Sequence, residues 1–505
     1  MSTSTLTAER YAVSSDSPPL VVDLDGSLVQ TDTLVECFIA GLHQPVRLTY
    51  ALLALRRGKA AFKAALAMVA APDPALLPYN REVLDFLRDE HDEGRSLVLA
   101  TAADRCVADA VAHHLDLFDA VLASDGTVNL AGAAKLAAIR EALGGRDFAY
   151  VGNEHRDLAV WREAASAITV GASPRLTRAV SQVAPVERSF SRVSAWPRAL
   201  LRAMRPHQWV KNLLVFVPLI TARALGDVSG WGHALLMFAG FGLTASGIYL
   251  VNDLCDLAAD RQHPKKCTRP FASGVLPLEI GLIAAPLMLL AGAAIADVAG
   301  ALPVLAVYAA MSLAYSFYFK AQLLIDVFLL AGLYTVRVIA GGIATGYTVS
   351  LWLLAFSSFL FLSLAMVKRV AELRACSGHA RPKIARLQGG AKADERKIVG
   401  RGYLPSDAPS LELMGVAASF VTSLVLALYV QSEIMPQGDH RPTLAWAIVP
   451  LILFWQCRIW FVTMRGQMHH DPIVFAARDW VSWLVTAASF AMLLFGSSVA
   501  IFPPG

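Results

Sequence analysis

From about residue 205 onward the chain is dominated by long uncharged apolar runs, and no other feature restricts its fold as much. A helix needs roughly 20 apolar residues to cross ~30 Å of hydrocarbon. In lipid its backbone polar groups must also find partners within the protein. Runs at 298–319, 413–432 and 480–502 meet that length, and 232–251 does so with one histidine. The run 338–367 is too long for one crossing and splits into two helices around Gly346–Ser350. Nine spans are expected, near 210–226, 231–252, 275–296, 299–319, 323–345, 351–367, 411–432, 442–460 and 478–502. Residues 1–200, in contrast, carry charges throughout and read as a globular domain.

Lys and Arg concentrate in the cytoplasmic loops of membrane proteins. With the N-terminus inside, the inner loops hold Arg261, Lys265, Lys266, Arg269, Lys320, ten basic residues from Lys368 to Arg401, Arg465 and Arg478. The outer loops hold Arg223 and Arg441. The opening residues, MSTSTLTAERYAVSSDSPP, lack the basic stretch and apolar core of a secretory signal. A cytoplasmic N-terminal domain is therefore expected, within a multi-pass protein of a bacterial inner (cell) membrane. A net charge of +4 is too small to suggest a nucleic-acid partner. The six cysteines form no CxxC pair, which argues against a disulfide framework or a zinc site.

The densest chemistry lies in Tyr249–Gly274, YLVNDLCDLAADRQHPKKCTRPFASG. On a helix Asn252, Asp256 and Asp260 share one face, with Asp253 about 100° away. Carboxylates at a membrane boundary repel each other and are costly to bury unpaired. A bound cation resolves both problems, and carboxylate plus amide oxygens suit magnesium. The following run Arg261, Lys265, Lys266 and Arg269 offers donors to phosphate.

These residues carry a resemblance. NDxxDxxxD after the second span resembles the first aspartate motif of the UbiA superfamily of membrane prenyltransferases. DRQHPKKCTRPFASG, with RPHQWVKN at 205–212, resembles its decaprenyl-phosphate phosphoribosyltransferase branch. Also similar are YSFYFKAQLLID at 315–326, MVKRVAEL at 366–373, GRGY at 400–403 and GQMHHDPIVFAARD at 466–479.

The resemblance implies an all-α membrane domain that moves phosphoribose from phosphoribosyl pyrophosphate (PRPP) to a polyprenyl phosphate and releases pyrophosphate. Magnesium would sit on Asn252, Asp253, Asp256 and Asp260, with Asp256 and Asp260 catalytic. Tyr249, Lys211, Lys265, Lys266, Arg269, Lys320, Asp326, Lys368 and Arg369 would bind substrate. The second motif reduces to Asp326, preceded by Lys320, which departs from the quinone-type enzymes. Arg337 falls inside the fifth span, where an arginine defaults to a functional or paired role. A substrate phosphate and a structural partner are both open for it. His469, His470 and Asp471 read as polar loop residues.

In the first domain, PLVVDLDGSL at 19–28 reads as a buried strand and a turn, with Asp23 and Asp25 at the strand end. It resembles DxDG[TS], the first motif of the haloacid dehalogenase (HAD) phosphatases. Thr101 in SLVLATAA, Lys135 in GAAKL and FAYVGNEHRDLAVW at 148–161 follow in the order of motifs two to four. The resemblance implies an α/β fold with a parallel sheet. Asp23 would be nucleophile and Asp25 general acid/base, and Thr101 and Lys135 would bind the phosphoryl group. Magnesium would be held by Asp23, Asp25, Asn153 and Asp157. Asn153 replaces the usual aspartate, so both an active phosphatase and a non-catalytic scaffold stay open.

The expected organisation is a disordered 1–18, a HAD-like domain 19–175 with a helical cap at about 33–90, a basic linker 176–200 along the membrane surface, and a UbiA-type membrane domain 201–505. The Gly-rich basic loop 374–401 reads as a flap or as a topology signal. Expected partners are PRPP, a polyprenyl phosphate and the bilayer; self-association is left open. The alternatives are a quinone-type prenyltransferase and a polyprenyl-lipid carrier with a non-catalytic HAD domain.

Overall fold

Strands and helices alternate through the first 190 residues, and in the computed structural model they build one parallel sheet. Residues 17–191, 195–379, 402–434, 443–468 and 471–495 are described. The expected disordered N-terminus, the 380–401 part of the basic loop, and His469 and His470 lie outside them. The chain divides into two compact units, Met1–Met204 with Leu250–Ala284, and Arg205–Tyr249 with Ala285–Gly505.

In the first unit, strands β1 (Leu20–Val22), β2 (Leu97–Asp104), β3 (Ala120–Ser124), β4 (Ala149–Gly152), β5 (Ser166–Val170) and β6 (Val186–Phe190) form a sheet of order β3-β2-β1-β4-β5-β6. All pairings are parallel. The inner strands β1 and β4 are buried at every residue because apolar layers cover both faces. The order reverses at β1, so the carboxyl ends of β1 and β4 open the crevice where such sheets bind ligands.

Helices α1 (Thr33–Gly41), α2 (Pro45–Leu53) and α3 (Lys59–Ala70) form the cap. It has its own core of Cys37, Leu48, Ala51, Leu66 and Ala67. The cap is shorter than the expected 33–90, because α4 (Arg81–Asp92) sends Val83, Leu84, Phe86 and Leu87 into the main core. Helices α5 (Arg105–Leu115), α6 (Ala133–Leu143) and the short α7 (Leu158–Trp161) complete the layers on the sheet.

The expected basic linker is corrected for much of its length. Helix α8 (Pro174–Ser181) opens on Pro174, with the Ser173 hydroxyl accepting from Leu176 N. It buries Leu176 and Val180, and β6 then joins the sheet beside β5. The arginines drew the linker reading, yet they alternate with apolar residues that pack. Phe190 lies 5.6 Å from the Phe86 ring, and the Arg188 guanidinium rests on both. Helix α9 (Trp196–Ala203) closes this segment.

Among the described residues, six helices are long and apolar enough to cross a membrane: α11 (Val228–Cys255), α13 (Leu278–Val298), α15 (Ile325–Thr345), and the spans Leu351–Ala375, Pro405–Glu433 and Ala445–Met464. The last three contain α16 (Leu351–His379), α17 (Ala408–Tyr429) and α18 (Ile448–Met464). Helix α14 (Leu302–Phe317) is shorter, as is the apolar stretch Trp480–Met492 at the end of the chain. The expected first span is a 3-10 stretch, Pro206–Phe216, followed by α10 (Val217–Thr221). Pro206 and Pro218 each lack the N–H that a continuous helix would use. The 3-10 stretch packs closely on α15, where a Cβ on Gly341 would come within 2.1 Å of the Val215 carbonyl oxygen. The described residues thus give six long spans and do not confirm the nine expected, and the all-α class holds.

Beyond α11 the motif segment forms α12 (Leu257–Gln262), which belongs to the first unit. The remaining helices are α19 (Pro472–Ala476) and α20 (Trp480–Phe495). Cys37, Cys106, Cys255, Cys267 and Cys457 form no disulfide.

Candidate active sites

Asp23 closes β1, and Asp25 lies two residues on, in the turn that Gly26 makes at φ 74°. Lys135, in the first turn of α6, brings Nζ to 2.7 Å from Asp23 Oδ1 and 3.9 Å from Asp157 Oδ1. Burial pushes the Asp23 carboxyl up, the Lys135 charge opposes it, and the balance falls at about 6. Asp25 is pushed to about 7 by burial and then by the charges of Asp32 and Asp23. Its Oδ1 accepts from Thr33 N at the start of α1, at 2.8 Å. Asp23 is thus mostly ionised at neutral pH while Asp25 holds its proton about half the time. Two neighbouring carboxyls with separated titrations suit a nucleophile and a general acid.

These groups line a cavity of about 360 Å³, with Phe62 and the cations Lys59 and Lys63 contributed by the cap and Arg156 by the loop after β4. Lys63 Nζ donates to Ala102 O at 2.6 Å and Asn129 Oδ1 at 2.9 Å. Thr101 departs from expectation. Strand β2 continues past it to Asp104, and Thr101 is fully buried with its hydroxyl accepting from Ala103 N. Ala102 and Ala103 line the cavity in its place. Asp157 also differs, because its oxygens accept from Tyr150 Oη and from the backbone N–H groups of Asn153 and Glu154. The Asn153 side-chain oxygen accepts from Ser27 in the motif-one turn, at 3.3 Å. Asp157 lines the cavity with Asp23 and Asp25, whereas Asn153 does not, so Asp23 and Asp25 are the carboxylates best placed to hold a magnesium ion here.

The Asn/Asp segment runs over the end of α11. The helix breaks at Asp256, but Asp256 N still donates to Asn252 O and Asp260 N to Asp256 O, each at 2.8 Å. The expected shared face therefore survives the break in the backbone. The four side chains nevertheless divide in two. Asp253 and Asp260 are buried, and Arg269 Nη1 donates to both, at 3.0 and 2.6 Å. Asn252 and Asp256 are half-buried. Among the described residues no group of three or more His, Cys, Asp or Glu side chains converges to hold a metal. The four-member magnesium site is thereby corrected: an arginine already neutralises two members. Asn252 and Asp256 remain as an amide and a carboxylate one turn apart. They fit magnesium, which commonly rests on one or two carboxylates and completes its shell with water and substrate phosphate. Lys265 and Lys266 are exposed, and Lys266 Nζ lies 3.8 Å from Asp260.

A buried ion pair ties this segment to the cap. Glu36 of α1 accepts from Arg261 Nη2 at 2.6 Å and Nη1 at 3.0 Å, and also from the Thr31 hydroxyl. Arg261 Nε donates to Ala272 O.

In the second unit, Lys211 Nζ lies 2.7 Å and Lys368 Nζ 3.4 Å from one oxygen of Asp471. Asp471 also accepts from Ile473 N as the cap of α19. Tyr334 Oη approaches both carboxylate oxygens at 3.5 Å. The lysine charges hold the Asp471 carboxyl well below the usual range despite its burial. Tyr249 carries the Arg205 guanidinium 5.1 Å above its ring, and Lys320 sits half-buried in a 3-10 turn.

Two substrate-binding expectations fail here. Asp326 and Arg369 are both fully buried and pair with each other, while Tyr403 donates to Asp326. They neutralise each other inside the helix bundle and present no surface to a ligand. Arg337 takes its structural alternative. It donates to Asn212 Oδ1 and Tyr308 Oη at 2.9 Å each and to Leu333 O, between the rings of Phe241, Tyr308 and Tyr334.

Residues 213–389 match the UbiA prenyltransferase family, and residues 20–162 match the haloacid dehalogenase-like hydrolases. The chain is 36% identical over 490 residues to the uncharacterized protein y4nM of Sinorhizobium fredii, spanning 94% of this chain and 91% of that one. It is 35% identical over 279 residues to nodulation protein NoeC of Azorhizobium caulinodans, spanning 55% of this chain and 86% of that one. The chain belongs to the UbiA prenyltransferase family. Decaprenyl-phosphate phosphoribosyltransferase of Mycobacterium tuberculosis is 40% identical to this UbiA protein over 181 residues, 34% of this chain and 60% of that one.

Two roles in this UbiA protein escaped the sequence reading. Asp471 was set aside as a loop residue, although its N-cap position before Pro472 marks a fixed carboxylate. Glu36 gave no signal, because its partner lies 225 residues away.

Proposed function

We propose that the membrane part transfers 5-phosphoribose from PRPP to a polyprenyl phosphate such as decaprenyl phosphate. The observation that carries this reading is the motif segment itself: Asn252 and Asp256 lie one turn apart at the end of α11, beside Asp253 and Asp260 with their partner Arg269. The identity with the mycobacterial phosphoribosyltransferase supports the choice of substrates. Asn252 and Asp256 would hold magnesium, which supplies charge neutralisation for the departing pyrophosphate. Lys265 and Lys266, exposed and without a rigid tether, close on substrate phosphates. Lys211 and Lys368 place two positive charges on one carboxylate, and the surplus charge favours an anion there. The anomeric carbon–oxygen bond to pyrophosphate breaks as a lipid phosphate oxygen bonds to that carbon. The acceptor is anionic at neutral pH, so no strong base is needed, and positioning supplies much of the rate.

The N-terminal site then acts as a phosphatase. Asp23 attacks phosphorus, Asp25 protonates the departing ester oxygen, and water releases phosphate from Asp23. The 5-phosphate of the lipid-linked phosphoribose is the substrate we assign, in keeping with the cationic cavity wall of Lys59, Lys63 and Arg156. The basic inner loops support a bacterial cell-membrane protein with this unit in the cytoplasm.

The test incubates membranes carrying the full chain with labelled PRPP, magnesium and decaprenyl phosphate. Ribose phosphate should appear on lipid with the native chain and not with Asp256→Ala. Prenylation of an aromatic acid instead would reject the assignment.

A further inference from the structure

The cap carries an apolar stripe that the fold leaves in solvent. Leu42, Val46, Tyr50 and Leu53 are 39, 67, 70 and 54% exposed. Val46, Tyr50 and Leu53, spaced by four and three residues, fall within roughly 60° of one another on α2, and Leu42 lies in the turn just before it. The other side of α2 already packs, through Leu48 and Ala51, in the cap core. The stripe is therefore surplus to folding of the cap. Its setting is strongly basic. Between Glu36 and Asp73 the sequence has no acidic residue, and it has Arg47, Arg56, Arg57, Lys59 and Lys63.

We propose that α2 docks the cap on the anionic surface of the bilayer, with the stripe at the headgroup–acyl boundary and the arginines among the lipid phosphates. Amphipathic helices with basic and apolar residues lie at that depth, and an anionic leaflet attracts basic segments. The position of α2 supports a bilayer as the occupant. His43 Nε2 lies 2.9 Å from the carbonyl oxygen of Cys255, the last residue of the apolar helix α11. Only Gln44 separates His43 from the start of α2. A nine-residue helix is about 14 Å long, and each headgroup layer is roughly 5–8 Å thick. The stripe thus begins where a membrane span ends. A second copy of the chain fits less well, because two such basic faces repel. The inference stands apart from the transferase reading. It gives the phosphatase cavity a lipid-borne substrate class, since Lys59, Phe62 and Lys63 follow directly on the docked segment.

The full chain, with its native cysteines replaced, is spin-labelled at Val46→Cys or Tyr50→Cys, or at Glu141→Cys on the exposed side of α6. It is placed in nanodiscs containing phosphatidylglycerol. Labels at 46 and 50 should meet oxygen more often, and a water-soluble nickel chelate several-fold less often, than the label at 141. Equal nickel exposure at all three sites overturns the proposal, as does dipolar broadening that signals a second copy on the stripe. Hydrogen exchange of peptide 42–57 in the unaltered chain is a second reading. It should slow several-fold in phosphatidylglycerol nanodiscs relative to phosphatidylcholine ones, and identical rates overturn the docking.

Discussion

At both candidate sites of the first unit one cation serves two carboxylates, and the two arrangements are built on different scales. Lys135 reaches Asp23 across 112 residues of sequence, and its helix and their strands are fixed by the sheet core. Arg269 reaches Asp253 and Asp260 across 16 and 9 residues, within one turn-rich segment. The first arrangement is rigid and leaves Asp25 with a raised titration. The second is local and leaves Asn252 and Asp256 as the half-buried pair. At the first site the paired Asp23 is itself the assigned nucleophile, whereas at the second the assigned metal ligands are other members of the motif. The scaffold sets the difference: a sheet edge supports a fixed nucleophile, while a short segment at a helix end can adjust around a large diphosphate.

The largest expected effect separates the two sites by activity. Asp256→Ala should lower phosphoribosyl transfer on the order of 10²–10³-fold, the loss typical when one group stabilising transition-state charge is removed. It should leave hydrolysis of a simple phosphate ester unchanged. Asp23→Asn should do the reverse. The comparison breaks if Asp253→Asn, properly folded, proves as damaging as Asp256→Ala. Arg269 would then not separate the motif into two functional pairs.

A stability measurement tests the cations themselves. Arg269→Met removes the guanidinium that both buried carboxylates, Asp253 and Asp260, accept from. Losing one member of a buried ion pair costs about 3–5 kcal/mol. The segment should become protease-sensitive in the full chain, read from fragment masses, and Asp253→Asn with Asp260→Asn should restore protection. An Arg269→Met chain as resistant as the native one would show that water reaches these carboxylates.

A smaller loss is expected at the tie between cap and motif. Glu36→Gln weakens two charge-assisted hydrogen bonds from Arg261, worth about 1.5–3 kcal/mol. Cys267, half-buried in the same segment, should then react faster with a maleimide. The exchanged pair, Glu36→Arg with Arg261→Glu, should slow it again. Unchanged labelling in Glu36→Gln would mean that the segment holds its shape without the cap.

How much of this could be read beforehand depended on the distance over which each interaction acts. The apolar runs and the order of Asp23, Thr101, Lys135 and Asn153 disclosed both fold classes, because hydrophobic period and strand-end motifs are local. The Asn/Asp segment was visible as a motif, but its division was not, since nothing in the spacing shows that Arg269 folds back onto Asp253 and Asp260. Asp326, Arg369 and Arg337 looked available to substrate because a charge in an apolar run carries no label for its partner. The partners Tyr403, Asn212 and Tyr308 come from other segments of the chain, 77, 125 and 29 residues away. The supposed linker failed for a simpler reason, as its arginines drew attention from Leu176, Val180 and Phe190, the apolar residues that pack.

The mildest effect concerns Asp25 and depends on pH. Its carboxyl titrates at about 7 in the fold against an ordinary value of 3.8. The native chain therefore keeps a proton that the unfolded chain gives up between these values. The stability this proton contributes is complete below about pH 4 and is lost progressively as pH rises towards 7, where the fold must carry a buried charge. Asp25→Asn is neutral throughout and escapes that loss. Water at the cavity mouth screens the charge, so the advantage of the variant should reach only about 1–2 kcal/mol. Pulse proteolysis of the full chain with magnesium chelated should show this advantage growing from pH 4 to 7 and levelling above it. A difference independent of pH would mean that Asp25 is already ionised in the fold, and the assignment of general acid would pass to another group.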